Sequence, residues 1–493
     1  MHEMTIAEMQ ARLATGALTS SGLVEMYLAR IAAIDRQGST LNAVIEINPD
    51  ALAIAAALDD ERRQSGARGP LHGIPILLKD NIDTGDQMQT TAGSLALVGP
   101  PAPTDAFLVS QLRQAGAVIL GKTNLSEWAN FRSSHSVSGW SSRGGQTRNP
   151  YALDRNPSGS SSGSAVAATA NLCAAAVGTE TDGSITSPAS VNGVVGIKPT
   201  VGLISRRGII PIAHSQDTAG PLARCVADAA ILLGCLTAPD PEDPATLDRG
   251  GPVYQDYTPF LDRGGLAGAR IGVARNFFGF NERVDDLLET CLEALRREGA
   301  QVVDPAPVLT AGQFEESEAL VLLFEFKADL NAYLAQRGPA SPVHSLAEVI
   351  EFNERHAART MPFFGQDLMH RAQAQGSLTE TAYRQALAIN QRLAREEGID
   401  ATLRTHRLDA IVAATCTLAW LTDPINGDHY QGSCTSPAAV AGYPHITVPA
   451  GLISGLPIGL SFFGAAYQEA TLIRLAYAFE QATLARRRPE IGD

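Results

Sequence analysis

The sequence predicts an α/β layer fold: one large domain with a mixed β-sheet core covered by helices on both faces. Three observations predict it. Short β-rich runs alternate with stretches of helical periodicity along most of the 493 residues. A hydrophobic content of 45% is that of a globular chain able to bury a large core. The β-rich pattern lapses in the middle and returns after residue 408, so the last segment is expected to rejoin the first sheet. A split into two domains is the weaker alternative.

Thr5 opens a helix-like stretch, and Ser20 or Ser21 caps a second one with Leu23, Val24, Tyr27, Leu28 and Ile31 at helical spacing. Strands are expected at AVIEI (43–47), GIPILL (73–78), AVIL (117–120), RIGVA (270–274), DAIVAA (409–414), HITVPA (445–450) and PIGLSFF (457–463). The Pro-, Asp- and Gly-rich stretch 237–259 reads as an exposed connection, and the chain to about residue 400 is more helical and more charged. No repeat at solenoid periods is present.

A net charge of −14 leaves no general basic field for a polyanion, so small molecules or proteins are the expected partners and nucleic acid is not. The six cysteines are scattered, with no CxxC and no metal-ligand spacing, and read as buried thiols. Residues 1–16 lack the apolar core of a secretion signal, and no run reaches the roughly 18 apolar residues of a membrane span. These features predict a soluble chain without a membrane partner, a monomer or homodimer, in a bacterial cytoplasm, or in the periplasm if a leader was removed.

GSSSGSAVAATA, residues 159–170, crowds four serines ahead of an apolar helix-like run. A phosphate-binding P-loop is excluded because no lysine follows Gly163, and GxGxxG is absent. Gly159 to Gly163 satisfies G-x-S-x-G with Ser161 at its centre, but the two prolines of NPYALDRNPS (149–158) make a loop where a nucleophile elbow needs a strand. The plain alternative is that Ser162 or Ser164 caps the following helix.

Lysine is rare: among 38 Lys and Arg, only Lys79, Lys122, Lys198 and Lys327 are lysines. Lys79 ends the apolar run GIPILLKD, where desolvation opposes its charge and favours a neutral amine, unless it pairs with Asp80. In GTETDGSITSPAS (178–190), Ser184 follows Asp182 and Gly183. A glycine there lets the backbone turn tightly and aim N–H groups at one point, as a developing oxyanion requires. The alternative is a turn before a helix capped by Ser187 with Pro188 in its first position.

Together, in this order, these elements resemble the amidase signature family of serine hydrolases. The resemblance is densest in GIPILLKDNIDT, GKTNLSEW and GIKPTVGLISRRGIIPIAHSQDTAGPLARCVADAA, and resumes at GYPHITVPAGLISGLPIGLSFFG and EATLIRLAYAFEQAT. It implies one amidase domain over residues 1–493, with a variable, helix-rich insertion at about 240–400 where substrate selection is expected. Carried over by position, it makes Ser184 the nucleophile, Ser160 the bridging serine after a cis Gly159–Ser160 bond, and Lys79 the base. It puts the oxyanion hole on the backbone N–H groups of Thr181, Asp182 and Gly183, and implies an acyl-enzyme with neither metal nor cofactor.

Two departures stand out. The usual GGSIR is DGSIT here, so Asp182 adds a carboxylate and Thr186 removes the arginine expected beside Glu180. SGSSSGS, GTETDGSI, SQDTAGP and SGWSSRGG (138–145) are similar to the peptide amidase branch, which hydrolyses the C-terminal carboxamide of peptides to an acid and ammonia. Aryl acylamides or other small amides are the nearest rival substrates. The glutaminase subunit of a tRNA-dependent amidotransferase is the rival of a different class. Trp128, Trp140 and Trp420 are expected mainly in packing, and His135, His214, His429 and His445 in surface or hydrogen-bonding roles. Tyr430, in NGDHYQGS (426–433), is placed at the site mouth by the resemblance.

Overall fold

The computed structural model describes residues 3–491. Its strands are β1 (Val44–Ile47), β2 (Pro75–Lys79), β3 (Val118–Thr123), β4 (Trp140–Ser141), β5 (Gly145–Gln146), β6 (Ala175–Glu180), β7 (Val195–Lys198), β8 (Thr218–Ala223), β9 (Arg270–Val273), β10 (Gln301–Val303), β11 (Ala410–Ala414), β12 (His445–Ile453) and β13 (Leu456–Phe463). β4 and β5 pair alone, and the other eleven form one sheet in the order β1-β3-β2-β6-β8-β7-β12-β13-β11-β9-β10. The sheet is mixed. β3, β2 and β6 are mutually parallel, as are β11, β9 and β10, and the remaining pairs are antiparallel.

Both faces are covered, which explains why β2 and β11 are buried at every position and read as continuous apolar runs. In β11, Ala410, Val412 and Ala414 join the large core, with Leu292 and Ile473 from the helices Glu282–Arg297 and Glu469–Thr483. Ile411 and Ala413 point the other way, against Ala438 of the helix Thr435–Ala441. All seven sequence-predicted strands are present. β9 and β10 extend one end of the sheet, so the 240–400 stretch supplies edge strands as well as helices.

Two local expectations change. Thr5 does start a helix, Ile6–Ala14, with a complete capping box to Glu8. The second helix, Ser20–Arg30, is capped one residue earlier than expected, by Thr19, because the Asp59 carboxylate takes the N–H groups of Ser20 and Ser21. The 237–259 stretch is not simply exposed: Asp240 and Asp243 are buried and ion-paired to Arg207 and Arg206. Composition alone hides such partners. All six cysteines are free thiols, four of them buried and Cys225 and Cys235 half-buried.

β8 is central yet built from TAGPLA. Gly220 is required there by close approach, since a Cβ would stand 2.0 Å from the Ile197 carbonyl oxygen. We expect Gly220→Ala to cost about 1–3 kcal/mol or more through backbone displacement, seen as a lower urea midpoint than the parent's. Among the described residues, no helix is long and apolar enough to cross a membrane.

Candidate active site

Lys79 ends β2 and, through the parallel register Leu78↔Val177, lies beside the end of β6. Its side chain is fully buried, with Nζ 2.7 Å from Ser160 Oγ, 2.8 Å from Thr179 Oγ1 and 3.1 Å from the Thr179 carbonyl oxygen. Burial pushes this amine down to about 7, against the opposing pull of Asp217 and Glu180. Asp80 is not its partner. That carboxylate is taken by Arg143, Thr91 and the Gly93 N–H.

The four serines of the cluster have separate roles. Gly159–Ser160 is a cis peptide, and Ser160 is the serine that meets Lys79. Ser161 Oγ donates to the Thr179 carbonyl and accepts from the Thr179 N–H, which ties the loop to β6. Ser162 bonds back to the Ser158 carbonyl, and Ser164 donates to the Val177 carbonyl. Neither caps the helix Ser162–Thr169, whose N-cap position is Ser161 without a side-chain cap bond. The elbow reading loses its nucleophile as well, because Ser161 is fully buried in this brace.

Ser184 lies on the adjoining turn, linked to the cluster by the bond from the Ser161 N–H to its carbonyl. Its hydroxyl faces a cleft of about 450 Å³, and no protein group hydrogen-bonds it among the described residues. Gly183 has φ +74°, the left-handed conformation that suits glycine. The helix after the turn runs Thr186–Val191, so Ser187 is inside it and does not cap it. Glu180 holds the helix start instead. Its Oε2 accepts from the N–H groups of Ile185 (2.7 Å) and Thr186 (2.9 Å) and from Thr186 Oγ1 (3.2 Å). Thr186 thus serves Glu180 by hydrogen bonding where the family pattern has an arginine.

The turn is fixed from several sides. Thr181 Oγ1 donates to Asp217 at 2.6 Å, and Asp217 also takes the Ile212 and Ala213 N–H groups. Burial raises the Asp217 carboxyl to about 6. Asp182 accepts from Ser436 Oγ at 2.6 Å, and burial raises its carboxyl too.

The structure gathers Lys79, Ser160, Thr181, Asp182, Gly183 and Ser184 at one end of β2 and β6. It separates the tryptophans. Trp128 is core, and Trp140 packs under Arg132 beside Phe364. Trp420 lines the cleft, edge-on to Tyr430 and bonded through Nε1 to Asp428. Tyr430 stands at the cleft with its hydroxyl 3.0 Å from Ser187 Oγ. His135 lines the rim, His214 sits between Asp329 and Glu325, His429 is exposed near Gln431, and His445 is buried against Ser461. Sequence reasoning missed Thr179, Asp217, Ser436 and Asn81, whose Nδ2 donates to Thr179 Oγ1 at 3.0 Å. Asp217 in SQDTAGP, Thr179 in GTETDGSI and Asn81 in GIPILLKDNIDT each lay within a quoted motif, whereas Ser436 left no signal.

The cleft wall carries the carboxyls of Asp182 and Asp428 and no lysine or arginine. A neutral or cationic substrate fits that field better than an anionic one.

Three comparisons relate the chain to known proteins. The Amidase family profile matches residues 22–473. The structure of native peptide amidase from Stenotrophomonas maltophilia is similar at 53% identity, covering 100% of this chain and 99% of that one, with a TM-score of 0.95. A probable amidase of Arabidopsis thaliana is 44% identical over 99% of this chain and 92% of its own length. A glutamyl-tRNA(Gln) amidotransferase subunit of Halorhodospira halophila is 34% identical, over 98% of each chain.

Proposed function

The chain belongs to the amidase signature family and is an amide-hydrolysing enzyme, and from that premise we propose that it releases ammonia from the C-terminal carboxamide of peptides through Ser184, Ser160 and Lys79. The observation that carries the chemistry is the set of contacts around Lys79 Nζ. A neutral amine has two N–H donors and one lone pair. The protonated amine donates to all three oxygens, and in the neutral form the two oxygens of Thr179 accept the donors while the lone pair is left for the Ser160 hydroxyl.

Ser160 gives its proton to Lys79 and takes one from Ser184, whose alkoxide attacks the amide carbonyl. The N–H groups of Thr181, Asp182 and Gly183 receive the negative charge on the carbonyl oxygen. Ser160 then protonates the nitrogen, so that ammonia leaves in place of an amide anion, and water releases the acid from Ser184. Each proton taken by Lys79 is returned within the cycle, and the reaction draws on protein groups and water alone.

The substrate reading rests on the cleft and on the likeness to a peptide amidase. Free glutamine brings an α-carboxylate, for which the cleft lining holds no cation. A peptide amide carries no carboxylate at the reacting end, whereas the acid product does and is repelled by Asp182 and Asp428. Leu322, on the helix Glu315–Gln336, brings the 240–400 stretch to the cleft and supports placing substrate selection there.

The test is ammonia release from an N-blocked dipeptide amide, compared with free glutamine, and acid release from an acyl anilide. We expect kcat/KM for the peptide amide to exceed both by about tenfold or more. A preference for glutamine or for the anilide would sink the substrate assignment.

A further inference from the structure

Asp182 departs from the family pattern at the centre of the turn, and its side chain has an unusual neighbour. Ser436 occupies Oδ2, while Oδ1 is buried without a hydrogen-bond partner, and the Thr435 hydroxyl also lies close to this carboxylate. Beside it stands another carboxyl that interacts with it, that of Glu318 on the helix Glu315–Gln336. Glu318 is 8% exposed, and its Oε1 accepts from Gln216 Nε2 at 3.0 Å. The same Nε2 lies 3.3 Å from the Thr181 carbonyl oxygen, so the chain Ser436, Asp182, Glu318, Gln216 and Thr181 closes around the turn.

Two carboxylates cannot both stay ionised in such contact. The charged groups around the pair do not relieve it: Glu315 on the same helix and Glu180 at the end of β6 add negative charge, and Lys198 from β7 opposes it. Tyr430 stands near the pair at the cleft, its hydroxyl 3.0 Å from Ser187 Oγ. A single proton between the carboxyls supplies the missing donor for Asp182 Oδ1.

We propose that Glu318 and Asp182 share one proton, and that this acid–carboxylate pair positions the Thr181–Gly183 backbone and limits the charge beside the developing oxyanion to one. Glu318 is then a positioning residue that acts through Asp182. The proposal rests on reading Thr181–Gly183 as the oxyanion hole of Ser184. When rising pH removes the shared proton, a second negative charge appears next to the oxyanion and kcat falls.

The test is kcat against pH over roughly pH 5 to 10 on the blocked dipeptide amide, for the parent, Glu318→Gln, Asp182→Asn and Glu318→Ala. The parent profile should rise through neutrality and fall by about tenfold or more on the alkaline side. Glu318→Gln and Asp182→Asn, which leave one carboxyl each, should keep the rise and lose the fall. Glu318→Ala should lower kcat at neutral pH by about tenfold with KM changed by less than about threefold. An alkaline fall that is absent from the parent, or that persists in both single-carboxyl variants, overturns the pair. If Glu318→Gln proves unfolded by thermal melting, Asp182→Asn reads the same limb. Ser184→Ala separates the two levels. Its inactivity beside unchanged limbs rejects the pair and keeps the nucleophile, whereas its activity rejects both.

Discussion

Ser184→Ala lowers amide hydrolysis by about 10⁴-fold or more in kcat, with the protein folded as before. The size follows from the role: without the hydroxyl there is no acyl-enzyme, and only binding and the oxyanion N–H groups remain. The unchanged fold follows from the contacts, because this hydroxyl faces the cleft and supports no neighbour among the described residues. Ser161→Ala is the control, with the opposite expectation. It removes both bonds that tie the cluster to Thr179, so it should cost about 1–3 kcal/mol of stability and leave measurable turnover. Steady-state kinetics and urea unfolding on the two variants read both effects. Full turnover by Ser184→Ala would reject the nucleophile.

Lys79→Ala should lower kcat by about 10²–10⁴-fold and remove the rise of rate with pH. The sign follows from the mechanism. The active form is the neutral amine, so protonation below the folded value of about 7 stops turnover, and the parent rate climbs about tenfold per pH unit there before levelling. Lys79→Arg should not rescue activity, since a guanidinium stays charged and offers no lone pair. A parent profile flat from acid to mildly alkaline pH, with the chemical step rate-limiting, would reject Lys79 as the base.

The sequence exposed the parts whose physics is local. Long apolar runs such as GIPILL marked strands buried on both faces, and Thr5 with Glu8 marked a capping box. The family was legible too, because its motifs are long and ordered, and the chain proves to belong to it. β6, β7 and β8 were not legible. AAVGTE, VGIK and TAGPLA hold few β-branched residues and include a proline in a central strand. Their small residues answer to neighbours far along the chain, as Gly220 answers to Ile197. Pro221 pairs with Val177 of β6 and has no partner in the β7 ladder, which takes Leu222 and Ala223.

The site was legible in the same uneven way. Lys79 stood out through rarity and an apolar approach. No local pattern could tell Ser160 from Ser161, whose different roles depend on which group of β2 or β6 each meets. Asp182 was visible as a departure, but its partner Glu318 lies 136 residues further on in sequence and carries no signature of its own.

The place of the β12–β13 hairpin in the sheet has a consequence for the order in which the protein is assembled. Residues 445–463 come late in the chain, yet they join β7 on one side to β11 on the other. Until the ribosome releases them, the nascent protein holds two unjoined blocks of sheet, each with an open edge of unpaired backbone groups where the hairpin belongs. The serines and the lysine all belong to the block that holds β2 and β6 and are synthesised well before that moment, but the open β7 edge of that block is covered only when the hairpin arrives. Turnover is therefore expected to switch on late in biosynthesis, and the waiting edges mark the stage at which the growing chain most needs a chaperone.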